Sequence, residues 1–240
     1  MKALIMIVFV LIIAGASANL LKFGITKWDY LKIEDSEVAG TVNINPNLIH
    51  IALSEFKGEN LYLLEDEAVK EKLMQIPQIK DINVARIFPN IIKVIIYERI
   101  QIAYLHVDST YYLIDEQGVL LDRISYIEHS HLPILTENGL NNLTLGQEVT
   151  NENVKNLLGV YKIISSKYHE FLSCIEELYY EDDELIITEK GKNTRFIVGD
   201  KDFDNRIEKL VFTYQNFGVA SYSEIDVRFS DAMHELVILR

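Results

Sequence analysis

The sequence predicts an α+β protein: an apolar N-terminal helix, a small strand-helix-helix-strand-strand unit, and a mostly antiparallel β domain with two helices. Three observations carry this. Leu4 to Ile13 form an unbroken apolar run that continues through Ala14–Ala18 to Leu20–Leu21. Two short amphipathic helical patterns then precede two long β-branched runs, Ile79–Ile87 and Ile91–Glu98. From Gln101 onward, short apolar strands alternate with acidic and glycine turns, broken by two longer helical patterns.

The apolar run extends over roughly 19 residues, about 28 Å of helix, close to the hydrocarbon thickness of a bilayer. Lys2 precedes it, and Lys22 and Lys27 follow. It reads as a single-pass anchor or as a cleaved signal peptide, since Ala16-Ser17-Ala18 offers a small-residue cleavage site. Both readings place the chain beyond about residue 22 outside the cytoplasm. No lipobox-type cysteine follows the run, which excludes a lipoprotein, and positive charges at both ends leave the orientation open.

In the next unit, Tyr30–Val38 is a strand candidate ended by Ala39-Gly40. Asn45-Pro46 opens a helix, with Asn as cap and Pro in the first turn. Its apolar face is Leu48, Ile49, Ala52, Leu53 and Phe56, and Gly58 stops it. Glu65-Asp66-Glu67 suits the positive end of a second helix, with Ala68, Val69, Leu73 and Ile76 inward and Pro77 closing it. Pro89-Asn90 makes a tight turn between the two long strands, giving two helices on a three-stranded sheet.

Farther along, Ala103–Val107, Tyr111–Ile114, Val119–Leu121 and Leu132–Leu135 read as strands, with a turn at Asp115-Glu116-Gln117-Gly118. Thr150–Ser166 is a helix capped by Thr150 or Asn151, with Val154, Leu157, Leu158, Tyr161 and Ile164 on one face. Strands follow at Ile175–Tyr180, Leu185–Thr188 and Thr194–Val198. Asp202 is the expected cap of a helix over Phe203–Tyr214, and Glu224–Phe229 with Glu235–Arg240 forms a terminal hairpin.

Composition narrows the function classes. A hydrophobic share of 49% and a charged share of 25% supply a normal core and surface. A formal net charge of -13 repels phosphate backbones, so nucleic acid is not an expected ligand. Cys174 is alone, which excludes an intrachain disulfide and a CxxC metal motif. It lies in an apolar stretch, Phe171–Ile175, that predicts a buried, inert thiol. His129-Ser130-His131 is the one close histidine pair, but no third ligand stands at familiar spacing, and a polar loop is the expectation. Glu181-Asp182-Asp183-Glu184 reads as a solvated turn. No GxSxG elbow, P-loop or HExxH is present. No enzyme, metal site or cofactor is expected.

The stretch Ile79 to Ala103, IKDINVARIFPNIIKVIIYERIQIA, resembles the end of the POTRA domain in FtsQ/DivIB cell-division proteins. The family shows an apolar strand, an aromatic-Pro turn (here Phe88-Pro89), a second strand, and a Glu-Arg pair (Glu98-Arg99) before the next domain opens, here at Ala103-Tyr104. Tyr112-Leu113-Ile114-Asp115 with Gly118, Leu132-Pro133-Ile134-Leu135 and Asp226-Val227-Arg228-Phe229 resemble features of the family's β domain. Two departures stand out: Gln101 sits near the family's proline after Glu-Arg, and only Met1-Lys2 precedes the apolar run, where relatives carry a longer basic tail. The resemblance implies an anchor over residues 1–21, a linker over 22–29, a POTRA domain over 30–99 and a β domain over 100–240. It favours a retained anchor with the N-terminus inside, in the inner membrane.

The last strand is where binding is expected. Leu236-Val237-Ile238-Leu239 is apolar on both faces, so it is either internal to its sheet or covered by another polypeptide. The resemblance implies that FtsB/DivIC, accompanied by FtsL, docks at this end of the β domain. The residues matching that region are Arg228, Phe229, Glu235, Leu236, Val237, Ile238, Leu239 and Arg240. Arg228 offers a charge to a partner carboxylate and Phe229 an aromatic anchor, against the plainer readings of a solvated charge and a core side chain. The rivals are another POTRA-containing envelope-assembly protein and an exported soluble enzyme.

Overall fold

The structure is a computed structural model that describes residues 28–127, 131–192, 194–217, 222–228 and 237–239. The expected anchor and the His129-Ser130 part of the histidine pair lie outside these residues. Among the described residues, no helix is long and apolar enough to cross a membrane. The chain divides into two compact units between Glu98 and Arg99.

In the first unit, strand β1 (Asp35–Ala39) lies parallel to β3 (Ile91–Glu98), which pairs antiparallel with β2 (Ile79–Ile87), in the order β1-β3-β2. The central strand alternates, burying Ile92, Val94 and Ile96 on one face. Helices α1 (Pro46–Leu53) and α2 (Asp66–Leu73) cover that face with Ile49, Leu53, Val69 and Leu73. Asn45 caps α1 as expected, its side chain accepting from the Asn47 amide at 3.0 Å. Leu48 is a correction: it is exposed, because a two-turn helix seats only a narrow stripe of side chains.

The first strand is also shorter than expected. Residues Asp29–Leu31 form a 3-10 turn, and Lys32 bridges to Asn60, so the ladder with β3 begins only at Asp35. Leu31 and Ile33 are buried and root this segment. The Glu98 carboxylate closes the loop before α1. It accepts from the amides of Val42, Asn43 and Ile44 at 2.7, 2.9 and 2.9 Å and from Asn43 Nδ2 at 3.1 Å. Its partial desolvation works to raise its pKa, but the bonds from Ile44, Asn43 and Val42 outweigh this and hold it below the usual glutamate value.

In the second unit, the described strands make one mixed sheet, β12-β11-β10-β9-β8-β7-β4-β5-β6. Their ranges are β4 Gln101–Val107, β5 Thr110–Asp115, β6 Leu120–Ile124, β7 Ile134–Thr136, β8 Ile175–Glu181, β9 Glu184–Glu189, β10 Arg195–Gly199, β11 Glu224–Asp226 and β12 Ile238–Leu239. Most neighbours are antiparallel; β4–β7, β7–β8 and β10–β11 are parallel. The parallel pair β7–β8 is joined through α3 (Glu152–Lys167) and a short α4 (His169–Leu172), and β10–β11 through α5 (Phe203–Asn216). Helices α3 and α5 share one core with the sheet, built from Leu157, Ile164, Leu178, Ile187, Phe196, Ile207 and Leu210 among others.

Local chemistry explains most boundaries. Asn151 caps α3, accepting from the Val154 amide at 3.0 Å. Asp115 is buried and organises its turn by accepting from the amides of Gln117 and Val119, while Arg99 Nη1 donates to it at 2.7 Å. Asp182 and Asp183 both have positive φ, 51° and 64°, and close the tight β8–β9 hairpin. Asp202 does not cap α5. Its backbone is left-handed (φ 54°), and its carboxylate accepts instead from Asn205 Nδ2 at 2.7 Å. Cys174 is only half-buried, because it sits in the turn that follows α4 and not inside a helix or strand of the core.

Candidate functional site

The two edges of the nine-stranded sheet differ in how they are finished. At the β6 edge, Val119 bridges Glu148, Leu120 N donates to the Gln147 carbonyl at 3.1 Å, and Gly146 N donates back to the Leu120 carbonyl at 2.8 Å. The rest of that strand carries the exposed charges Asp122 and Arg123. Cover and charge are the usual means of blunting a sheet edge. At the other edge stands β12, paired antiparallel to β11 through Ile225↔Leu239 and Asp226↔Ile238. Among the described residues, no strand lies beyond it. Val237 and Ile238 are half-buried, and Val237 packs against the core of the unit.

The bed beneath this edge is polar and tightly bonded. Arg228 extends its guanidinium along β11 and across to β9. Its Nε and Nη2 donate to the two oxygens of the buried Asp226 at 2.9 and 2.6 Å, and its Nη1 donates to Glu184 at 2.6 and 2.7 Å. Hydrogen bonds to Asp226 and then Glu184 hold its proton above the already high arginine value. Lys209 of α5 is near the same carboxylate. Burial depresses its pKa, the Asp226 charge opposes that, and the Arg206 charge adds to it.

Close approach at this corner requires a glycine. Gly199 ends β10 with φ +92°, and a Cβ there would stand 2.3 Å from Arg206 Nη1 and 3.0 Å from Arg228 Cγ. Arg206 is itself buried and donates to the Val198 carbonyl at 2.8 Å. The ends of β10 and β11 are therefore held together by two arginines packed over one glycine.

Of the expected docking residues, Arg228, Val237, Ile238 and the backbone of Leu239 are described, while Phe229, Glu235, Leu236 and Arg240 lie outside the described residues. Two carboxylates of its own chain engage the Arg228 guanidinium, so the plain reading of a solvated charge does not describe it, and a third of the side chain stays exposed. Of the strand expected over Glu224–Phe229, the described residues form Glu224–Asp226; Val227 N still donates to the Ile197 carbonyl at 3.1 Å, and Arg228 N then donates to the Asp226 carboxylate at 3.1 Å. Sequence reasoning missed Gly199, Arg206 and Glu184. The signal for Gly199 was its place between a strand and an expected helix.

Comparison with known proteins assigns the chain. A model described as "POTRA domain, FtsQ-type" matches residues 31–99, and one described as "Cell division protein FtsQ/DivIB, C-terminal" matches residues 103–228, more than half of the chain. The chain belongs to the FtsQ/DivIB family. This is a family of membrane-anchored division proteins, not of enzymes, and the α+β architecture with a POTRA unit agrees with it.

Cell division protein DivIB of Clostridium acetobutylicum is 31% identical over 121 residues, covering 50% of this chain and 46% of that protein. DivIB of Clostridium tetani is 25% identical over 191 residues, covering 76% and 69%. Cell division protein FtsQ of Myxococcus fulvus is 23% identical over 163 residues, covering 68% and 56%. The chain spans about half the length, or less, of the first curated relatives it matches. A solved structure of the major extracytoplasmic domain of DivIB from Geobacillus stearothermophilus is similar at 16% identity, with a TM-score of 0.33, covering 47% of this chain and 87% of that one.

Proposed function

We propose that this FtsQ/DivIB protein is a division scaffold whose C-terminal strand is completed by another polypeptide, FtsB/DivIC together with FtsL. In this reading the chain is anchored by residues 1–21 with its N-terminus inside. Its POTRA domain over 30–99 and β domain over 100–240 stand outside the cytoplasm and join early to late division proteins. The observation that carries the reading is the contrast between edges: β6 is covered and charged, whereas among the described residues β12 is the last strand of the sheet, in an apolar stretch of sequence. A strand or helix added there pairs with the backbone of β12 and covers the apolar sequence Leu236–Leu239.

In this arrangement Arg228 acts at one remove. It fixes β11 through Asp226 and Glu184, and β11 in turn presents β12. Phe229 and residues 235–240 supply the direct contacts. The test is deletion of Glu235–Arg240 in a cell that carries tagged chain, followed by co-purification of FtsB and FtsL. Loss of both partners, with the POTRA unit still folded, is expected. Undiminished co-purification places the docking surface elsewhere.

A further inference from the structure

The first unit carries a second feature that its own core does not use. Trp28, Tyr30 and Phe88 are 58%, 56% and 64% exposed, yet they form a chain of ring contacts. The Trp28 and Tyr30 centroids lie 6.3 Å apart, and those of Tyr30 and Phe88 lie 6.0 Å apart in an edge-to-face arrangement. The rings come from separate parts of the sequence. Trp28 precedes the first 3-10 turn and Tyr30 lies within it, and Phe88 sits in the β2–β3 turn.

Their platform is firmly rooted. Leu31 and Ile33, directly behind the rings, are buried, and Leu61 N donates to the Leu31 carbonyl at 2.9 Å. The β2–β3 turn is tied to the same segment: Glu34 N donates to the Asn90 carbonyl at 3.0 Å, and Asn90 Nδ2 donates to Glu34 at 2.8 Å. Beside the rings, Asp29 and Lys32 pair with each other at 2.7 Å.

The sequence supplies the occupant. Trp28 stands seven positions after Leu21, where the apolar run ends (28 − 21), and Lys22 and Lys27 lie between. Even fully extended, that connection spans only about 25 Å at ~3.5 Å per residue. Tryptophan and tyrosine rings, with an apolar body and a polar edge, favour the boundary between headgroups and acyl chains. Lysines favour the phosphate level beside them.

We infer that Trp28, Tyr30 and Phe88 form a membrane-interface foot: a three-ring patch that seats the first unit on the bilayer surface next to its own anchor. The inference rests on reading residues 1–21 as a retained anchor. The foot restricts the angles at which the exported region leaves the membrane, which a flexible linker alone does not.

Trp28 is the sole tryptophan, so the full chain reports on this patch without labelling. The chain is reconstituted in phosphatidylcholine nanodiscs, plain or brominated near the carbonyl end of the acyl chains, and its emission is read. Three results support the foot: a blue-shifted maximum, quenching in brominated discs, and loss of both in a Tyr30→Ser/Phe88→Ser chain whose circular dichroism is unchanged. Failure of the parent chain to float with lipid overturns the anchor and the foot together. Flotation with a water-exposed maximum and no bromine quenching overturns the foot alone. So does shielding of Trp28 without bromine quenching, which points to a protein covering the rings. Equal quenching in the parent and doubly substituted chains also overturns it.

Discussion

Replacing Arg228 with alanine separates a residue that braces the proposed docking edge from one that would reach into a partner. The guanidinium makes two bonds to Asp226, whose side chain is 4% exposed, and two to Glu184, whose side chain is 34% exposed. Removing one member of a fully buried pair costs about 3–5 kcal/mol, but Arg228 is itself a third exposed and water re-enters, which lowers the Asp226 part to about 2 kcal/mol. The more exposed Glu184 pair adds about 0.5–1 kcal/mol. A loss of about 2.5–3 kcal/mol for the second unit is therefore expected, read as a lower urea midpoint at unchanged slope. Arg228→Lys keeps the charge but not the fork, and recovers less than half. Glu184→Ala reproduces a smaller share of the same loss. It also weakens partner binding, although Glu184 is not among the proposed contacts. The reasoning fails if Arg228→Ala leaves the midpoint within about 0.5 kcal/mol of the parent and lowers only partner affinity.

Three further outcomes follow from named contacts. Glu98→Gln costs the first unit about 1–2 kcal/mol at neutral pH, since a charged acceptor of three amides is lost. Because Glu98 is held below its ordinary 4.5, its contribution is complete above that value and disappears as pH falls through the folded-state pKa. Parent and variant denaturation curves should therefore converge in acid, and a constant gap down to strongly acidic pH would contradict the capping role. Gly199→Ala destabilises the second unit by about 2 kcal/mol or more, from positive φ plus the displacement of Arg206 and Arg228. A thermal scan with no loss would refute the close approach. Asn151→Ala removes the α3 cap and costs about 1 kcal/mol by urea titration, whereas Thr150→Ala costs little.

The parts of this fold that were legible in the sequence are those decided by neighbours in the chain. The two long strands of the first unit carry β-branched residues that alternate and a proline turn between them, and Ile79–Ile87 and Ile91–Glu98 form where expected. Asn45 and Asn151 were readable as caps because a short side chain reaches an amide two or three residues on. Asp202 carries the same chemistry but fails, since its left-handed backbone turns the carboxylate toward Asn205. Tyr30–Val38 looked continuous as a strand, but pairing with β3 starts late because the preceding segment is claimed by Asn60 and Glu59.

The candidate site was legible only in its apolar ribbon. Leu236–Leu239 declares itself by lacking alternation, a property of adjacent residues. The Arg228 clamp does not, because Glu184 lies 44 positions earlier and reaches it only through the sheet order β9-β10-β11. The role of Gly199 depends on two arginines from different elements meeting above it. The aromatic foot was hidden for the same reason: Phe88 reads as part of a turn motif until the ladder brings it beside Tyr30.

The proposed docking edge can be tested most directly by amide hydrogen exchange on the chain with and without the FtsB–FtsL pair. Slowed exchange at Ile238 and Leu239 in the complex, with β6 amides unchanged, is the predicted result. Unaltered exchange along 235–240, with new protection on β6 or on the first unit, would contradict it.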